Sequence, residues 1–251
     1  MFDKRFMKKV VVILLLATAA VLLSSCRKET PGGGDTPDNG KTPDKKAPDG
    51  KGDMIALPVV LPEAIESGTP IQIPDLPNLD KDSSNERPMF YVPKGTTNVA
   101  LNKTVTCPDE DIDAEELEKV VDGDMSGADG SWVELGLFDQ QLTIDLGSEY
   151  EIYAILLWHY FKEERVYLDV VVQTADDADF VTNVNTLFNS DIENVHKQGA
   201  GTDKYYIEKP KGKLIDAKGI KGRYVRLFSN TNSVNDLNHY VEVAVFGKLA
   251  E

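Results

Sequence analysis

Period-two alternation of apolar and polar residues is the feature that most limits the fold of this chain. Residues 141–146 place Leu142, Ile144 and Leu146 on one face and polar side chains on the other, which is typical of a half-buried strand. Four more runs predict strands, one of them apolar on both faces: 152–158, 166–172, 224–228 and 240–246. The chain is therefore expected to be rich in short strands.

The residues between these runs predict the remaining elements. Turn-forming residues at 146–148 and 218–222 separate the runs, and helical spacing of apolar residues behind a group of acids predicts one short helix before Asp122. Short strands without regular strand–helix alternation favour an all-β, antiparallel β-sandwich. Trp158 continues the apolar face of its strand and is expected in the core.

The first residues have the pattern of a targeting signal. Four basic residues between Lys4 and Lys9 precede an apolar run at 10–23, which is shorter than the roughly 20 residues of a transmembrane helix. The run ends in Leu23-Ser24-Ser25-Cys26, which matches the bacterial lipobox. We therefore predict a signal peptide at 1–25, a covalent lipid on Cys26 and a membrane anchor. Arg27 after the cysteine favours the outer membrane.

The rest of the chain divides by composition into three segments. Residues 26–53 are rich in Gly, Pro and Asp, so we expect a disordered tether. In residues 54–95 aliphatic residues alternate with prolines, which predicts an extended arm that lies on its own domain or docks on a partner. Residues 96–249 are expected to form the β-sandwich domain.

Net charge and motifs exclude several functions. The formal net charge is −15, and an acidic surface repels phosphate backbones, so no nucleic-acid partner is expected. No catalytic triad order, zinc motif or phosphate loop stands out, so we do not expect an enzyme. Cys107 has no Cys/His signature around it and is interpreted as a small buried hydrophobe.

Five short motifs follow one another between residues 96 and 248. They are Asn98-Val99-Ala100, Val121-Asp122-Gly123-Asp124 followed by Trp132, Asp145-Leu146-Gly147, Gly222-Arg223-Tyr224-Val225-Arg226-Leu227, and Glu242-Val243-Ala244-Val245-Phe246-Gly247. Their content and order resemble the discoidin, or coagulation factor V/VIII C-type, domain. The resemblance implies a galactose-binding-like jelly roll. The chain departs from the family in a longer loop before Trp132 and in lacking the cysteine pair of the animal domains.

The resemblance also implies a structural Ca²⁺ ion. The implied ligands are Asp122, Asp124 and Glu242. Carboxylates and carbonyls of a tight loop suit this ion, which takes about six to eight oxygens. The alternative is a solvated acidic helix capped by Asp122.

Ligand recognition in this family uses loops at one end of the sandwich. Two stretches of this sequence carry aromatic, charged and amide side chains of the kind that bind sugars, and from their chemistry we predict as ligand-binding residues His159, Tyr160, Arg165, Asn235, Asn238 and His239. For His159 and His239 we expect either ligand contact or a shared polar network. The structural alternatives are that Arg165 only pairs with Glu163 and that the Asn-rich turns are only turns.

The sequence leaves three functions open. The first is a surface lipoprotein that binds carbohydrate, which requires an exposed aromatic ring near His159 and Asn238. The second is a protein- or peptide-binding adhesin or assembly module, which requires a flatter exposed apolar patch. The third, a hydrolase accessory or unrecognised enzyme, requires a deep pocket with converging carboxylates or histidines.

Overall fold

The computed structural model describes residues 53–62, 73–82 and 84–251. The predicted signal peptide, Cys26 and nearly all of the predicted tether lie outside these ranges, as do parts of the predicted arm. Within them, no helix is both long enough and apolar enough to cross a membrane.

Strands dominate the described chain. The strands are β1 (Met54–Ala56), β2 (Leu79–Asp80), β3 (Tyr91–Pro93), β4 (Thr97–Asn98), β5 (Thr104–Thr106), β6 (Val133–Leu137), β7 (Gln140–His159), β8 (Val171–Ala175), β9 (Asn185–Asn189), β10 (Tyr205–Tyr206), β11 (Lys213–Ser229) and β12 (Leu237–Leu249). The predicted short helix is α1 (Ala114–Glu118), followed by a 3₁₀ turn at Lys119–Val121. The all-β class and the short helix are therefore confirmed.

The main sheet is antiparallel and is organised around three long strands. Its hydrogen-bonded order is β4-β12-β7-β11-β8-β9, with β5 paired to β7 and β6 paired to β12. The first part of β7 lies between β5 and β11, and its last part lies between β12 and β11. The long strands therefore continue from one layer of the sandwich into the other.

The core follows the alternation in the sequence. Leu142, Ile144 and Leu146 of β7 and Val225 and Leu227 of β11 have no exposed surface. They belong to one large cluster of buried aliphatic side chains between the layers. Burying one large aliphatic side chain stabilises the fold by about 1.5–3 kcal/mol. This cluster is therefore the main stabilising element of the domain.

The arm packs on its own domain. Strand β1 pairs with β3, and Leu57 and Val92 are buried in a second cluster with Ala154, Leu156 and Trp158. Trp158 is completely buried, as predicted. Strand β2 forms the parallel pair with β10. The described parts of the arm therefore cover the face of β7 that carries Trp158.

Two sequence predictions of local structure are wrong. Residues 166–170 do not form a strand: Asp169 has a φ of 55°, and Val166 and Leu168 bond to residues of the 230–233 turn instead. Residues 146–148 and 218–222 do not separate strands. They lie inside β7 and β11, where Gly147 and Gly219, with φ of 84° and 77°, let each long strand bend.

Candidate functional site

The end of β7 and the start of β12 bring aromatic and charged residues together at one end of the sandwich. His239 lies opposite Glu134 of β6, and Tyr240 lies opposite both Val133 of β6 and His159 of β7. We call five residues here the loop-end cluster: Trp132, Glu134, Tyr160, Arg165 and His239. Strand register therefore places Glu134 opposite His239, whereas Trp132, Tyr160 and Arg165 lie in the segments just outside β6 and β7.

Two half-exposed aromatic rings form the surface of the loop-end cluster. Trp132 and Tyr160 meet edge to face, with ring centroids 4.9 Å apart and planes at 73°. The Lys162 Nζ lies 5.8 Å from the Trp132 centroid, and the Arg165 guanidinium carbon lies 4.6 Å from the Tyr160 centroid. Cations at these distances are attracted to the ring faces and help to fix the rings.

His239 links the surface of the cluster to the interior. Its Nδ1 is 2.9 Å from the Tyr167 hydroxyl, and its Nε2 is 3.3 Å from a carboxylate oxygen of Glu134. Burial lowers the pKa of His239 below its usual value, and the Arg165 charge lowers it further, while Glu134 opposes both. His239 is therefore neutral at neutral pH and is held between two hydrogen-bonding partners.

His159 lies beneath the loop-end cluster and has no exposed surface. Its Nδ1 is 2.7 Å from Glu208 Oε1, and Glu208 is also completely buried. The imidazole stacks on Tyr167 with centroids 4.2 Å apart and contacts Tyr240 at 4.5 Å. His159 therefore lies in a buried polar network beneath the cluster, and its role in binding stays a prediction.

Arg165 and Asn238 are also almost completely buried. Arg165 is 4% exposed and donates from Nη2 to Glu163 at 2.6 Å. Asn238 donates through Nδ2 to the Phe138 carbonyl at 2.7 Å and so ties the turn between β6 and β7 to β12. Arg165 and Asn238 each hold a neighbouring residue in place in this conformation. Arg165 does so beneath the Tyr160 ring of the loop-end cluster.

Asn235 lies in an exposed turn away from the aromatic pair. Its side-chain oxygen accepts from Asn232 Nδ2 at 2.6 Å and from the Leu237 backbone at 3.1 Å. These bonds close the turn, which matches the structural alternative for an Asn-rich segment. Binding by any of the six predicted residues stays a prediction.

The loop that carries Asp122 and Asp124 contacts Glu242, the third predicted calcium ligand. Oε2 of this buried side chain accepts from the Gly123 backbone at 3.0 Å, and Oε1 has no hydrogen-bond partner. Burial raises the pKa of Glu242 to about 8, and the nearby charges of Asp122 and Asp124 act in the same direction. A buried, unpaired carboxylate oxygen beside two further carboxylates fits a hard cation.

The side chains alone do not complete this cation site. Asp122 Oδ1 accepts from the Asp124 backbone at 2.7 Å, and Asp124 Oδ1 accepts from Ser126 at 2.9 Å. Among the described residues, no group of three or more His, Cys, Asp or Glu side chains lies close enough to hold a metal ion. A Ca²⁺ ion at Glu242 would need oxygen ligands beyond these side chains, and the calcium site stays a prediction.

Sequence reasoning did not select Trp132, Glu134 or Lys162 as ligand-binding residues. Trp132 entered only as part of a motif, although its neighbours Gly130 and Ser131 are too small and polar for a core strand. These two residues before Trp132 could have indicated that its ring is partly exposed. Nothing in the sequence showed that Glu134 would lie opposite His239.

Comparisons with known proteins gave likenesses only to solved structures. No family model matches the chain, and no curated protein matches it. The CBM32 module of AlyQ, in complex with 4,5-unsaturated mannuronic acid, is 19% identical over 57% of this chain and 92% of that chain, with a TM-score of 0.41. Chitosan-binding module 1 of a chitosanase/glucanase from Paenibacillus sp. IK-5 is 18% identical over 60% and 99%, with a TM-score of 0.40.

A third similar structure is much larger than this chain. It is a family 89 glycoside hydrolase from Clostridium perfringens, in complex with 2-acetamido-1,2-dideoxynojirmycin. The identity is 21% and the TM-score 0.46, and the match covers 61% of this chain but 15% of the hydrolase. The discoidin resemblance of this chain stays a prediction from its motifs.

Proposed function

We propose that this protein is a membrane-anchored lipoprotein that binds carbohydrate through the loop-end cluster. The observation that carries the proposal is the edge-to-face pair of Trp132 and Tyr160, each ring with a cation over it, at the surface of the domain. A sugar ring offers an apolar face to an aromatic side chain and hydroxyls to polar groups around it.

The polar groups of the cluster, and Lys162 beside it, suit sugar hydroxyls. Glu134 is exposed over 56% of its side chain and can accept hydrogen bonds from hydroxyls, while Lys162 can donate to them. The neutral imidazole of His239 lies between Glu134 and Tyr167, so it fixes the orientation of the carboxylate. Aromatic stacking would supply most of the affinity, and these polar groups would select among sugars.

The anchor is the second part of the proposal. The lipobox motif supports a thioether-linked lipid at Cys26 and attachment to the outer membrane. Cells fed a labelled fatty acid should transfer label to the protein, and Cys26→Ala should abolish both the label and membrane retention. Label that persists in the variant would contradict the assignment of Cys26.

A structural Ca²⁺ ion is the third part. Glu242 would hold it with carbonyls of the 122–124 loop, and the unpaired Oε1 of Glu242 supports this assignment. When bound, Ca²⁺ supplies charge compensation for a buried carboxylate and fixes the loop. It is assigned no contact with the sugar.

The carbohydrate proposal is tested by screening the purified full-length protein on a glycan array. Trp132→Ala and Tyr160→Ala should each weaken binding to a hit by about 10- to 30-fold, as expected for an aromatic residue at the centre of a contact. Phe138→Ala is the matched control, because Phe138 is an exposed ring (57%) outside the cluster. Equal loss in all three variants, or no hit for the folded protein, would contradict the proposal.

A protein-binding role is the second candidate, and exposed apolar side chains favour it. Leu137, Phe138 and Val234 are 54%, 57% and 42% exposed, and the Phe138 backbone bonds to Asp236 in the turn that contains Val234. Crosslinking on intact cells would reveal such a partner. Leu137→Ser with Phe138→Ala should then reduce crosslinking without changing glycan binding.

A further inference from the structure

We propose that an open groove on the outer face of the sheet is a second binding site, for an uncharged oligosaccharide. The groove has a volume of about 440 Å³, which lies within the range of about 300–1,000 Å³ for small-molecule sites. We call it the sheet-face groove. Its principal polar lining residues are Thr104, Thr106, Gln141, Thr143, Tyr224 and Arg226.

Strand register places these side chains in two rows across three neighbouring strands. Thr106 of β5 lies opposite Thr143 of β7, which lies opposite Arg226 of β11. One rung away, Thr104 lies opposite Asp145, which lies opposite Tyr224. Adjacent strands are about 4.8 Å apart, so each row presents polar groups at intervals of about one strand spacing.

Contacts within the sheet hold the rows in place. Arg226 donates from Nε to Thr143 Oγ1 at 3.0 Å and from Nη2 to the Ala178 carbonyl at 2.9 Å. Its guanidinium also lies 3.8 Å from the Phe180 ring centroid, so the 178–180 loop forms one wall of the groove. Because the lining is fixed before binding, a ligand loses little free energy in ordering it.

The charges around the groove favour a neutral ligand. Asp145 is held by Arg223 through two hydrogen bonds of 2.8 Å, and the charge of Arg226 is partly compensated by Asp177 and Asp179. Threonine hydroxyls and the Gln141 amide both donate and accept, as sugar hydroxyls do. The net charge of −15 further disfavours an anionic chain.

The lining does not resemble the core of a protein interface. Such cores are enriched in large aromatic and apolar side chains, whereas threonine and glutamine supply four of the ten residues that line this groove. Tyr224 is the aromatic side chain of the lining and is half-buried at the edge of the floor. It gives a sugar one ring to lie against, and its neighbours across the sheet are Asp145 and Ala175.

Cys107 provides a local reporter, because its half-exposed thiol lines the same groove. The experiment measures the rate at which iodoacetamide alkylates Cys107 in the full-length protein, followed by mass spectrometry of the peptide. Cellotriose, maltotriose and β-1,4-galactotriose are the neutral probes, and trigalacturonate is the anionic probe. At least one neutral probe should slow alkylation severalfold, and trigalacturonate should not.

Variants separate this site from the loop-end cluster. Protection should persist in Trp132→Ala/Tyr160→Ala and should be lost in Thr104→Val/Thr106→Val, with Thr97→Val as the exposed-strand control. Circular dichroism confirms that each variant is folded. No protection by any neutral probe, protection by trigalacturonate alone, or loss of protection in the loop-end variant would each overturn the second site. None of these results would decide whether the loop-end cluster binds glycan on the array.

Discussion

The loop-end cluster and the sheet-face groove are built in opposite ways. The cluster joins side chains from strand ends and a loop, with a buried network of His159, Glu208 and Tyr167 beneath it. The groove uses outward side chains of β5, β7 and β11, which pairing register places in rows. The loop-end cluster therefore depends on interior polar contacts, whereas the groove depends on strand pairing and on the 178–180 loop that contacts Arg226.

The largest expected effect comes from removing the network below the cluster. Glu208→Ala leaves His159 Nδ1 without its buried partner, which should lower the unfolding free energy by about 1–3 kcal/mol. Denaturant unfolding measures this loss. Lys81→Ala is the control, because the Lys81–Asp75 pair is almost fully exposed (78% and 94%) and should be worth less than about 1 kcal/mol. Similar losses in both variants would remove the distinction between the buried network and the surface.

Calcium should act on stability and leave both surfaces unchanged. Ca²⁺ should raise the melting temperature by on the order of 5 °C, since an ion that binds only the folded state stabilises it. Glu242→Gln should remove this response, because it removes the charge that the ion compensates. Scanning calorimetry with and without chelator measures both. A Ca²⁺ response that persists in Glu242→Gln would contradict the site.

A smaller effect is expected from the cation beneath Tyr160. Arg165→Met keeps an unbranched side chain of similar length but removes the guanidinium 4.6 Å from the ring centroid. The loop-end cluster should lose about 1 kcal/mol of affinity for a glycan found on the array, or about fivefold in Kd. Titration calorimetry measures the change. Protection of Cys107 by a neutral trisaccharide should stay at the wild-type level, which tests whether the two surfaces are independent.

The smallest expected effect is a pH dependence of the unfolding free energy that arises from His239 of the loop-end cluster. The pKa of His239 is lowered in the folded state, so below about pH 6.5 the unfolded chain binds more protons than the folded chain. The stability contributed by neutral His239 is present above that pH and is lost as the pH falls below it. His239→Gln should flatten this part of the profile of unfolding free energy against pH. An unchanged profile would contradict the lowered pKa.

The sequence predicted what depends on periodicity and missed what depends on long-range pairing. The alternation at 141–146 predicted both the buried Leu142, Ile144 and Leu146 and the outward positions that line the groove. It could not show that Gly147 lies inside one long strand, because a glycine that bends a strand and one that ends it look alike locally. Only the folded sheet relates residues 145 and 224.

The candidate site was predicted by residue type more than by position. Tyr160, Arg165 and His239 were chosen from their chemistry, and the structure places them together. His159 and Asn238 were chosen for the same reason but are completely buried, where His159 bonds to the buried Glu208 and Asn238 bonds to the Phe138 carbonyl of a turn. Trp132 was missed because its pairing with Tyr160 links segments that are far apart in the chain.

The two tryptophans of the chain offer the most direct test of the loop-end site. Trp132 is half-exposed in the cluster, whereas Trp158 is completely buried and donates from Nε1 to the Pro210 carbonyl at 2.9 Å. The measurement is a titration of the ¹⁵N-labelled full-length protein with its best array glycan, following the two indole N–H resonances. We predict that the Trp132 signal shifts with saturation while the Trp158 signal stays in place. Binding that leaves the Trp132 signal unchanged would contradict the account.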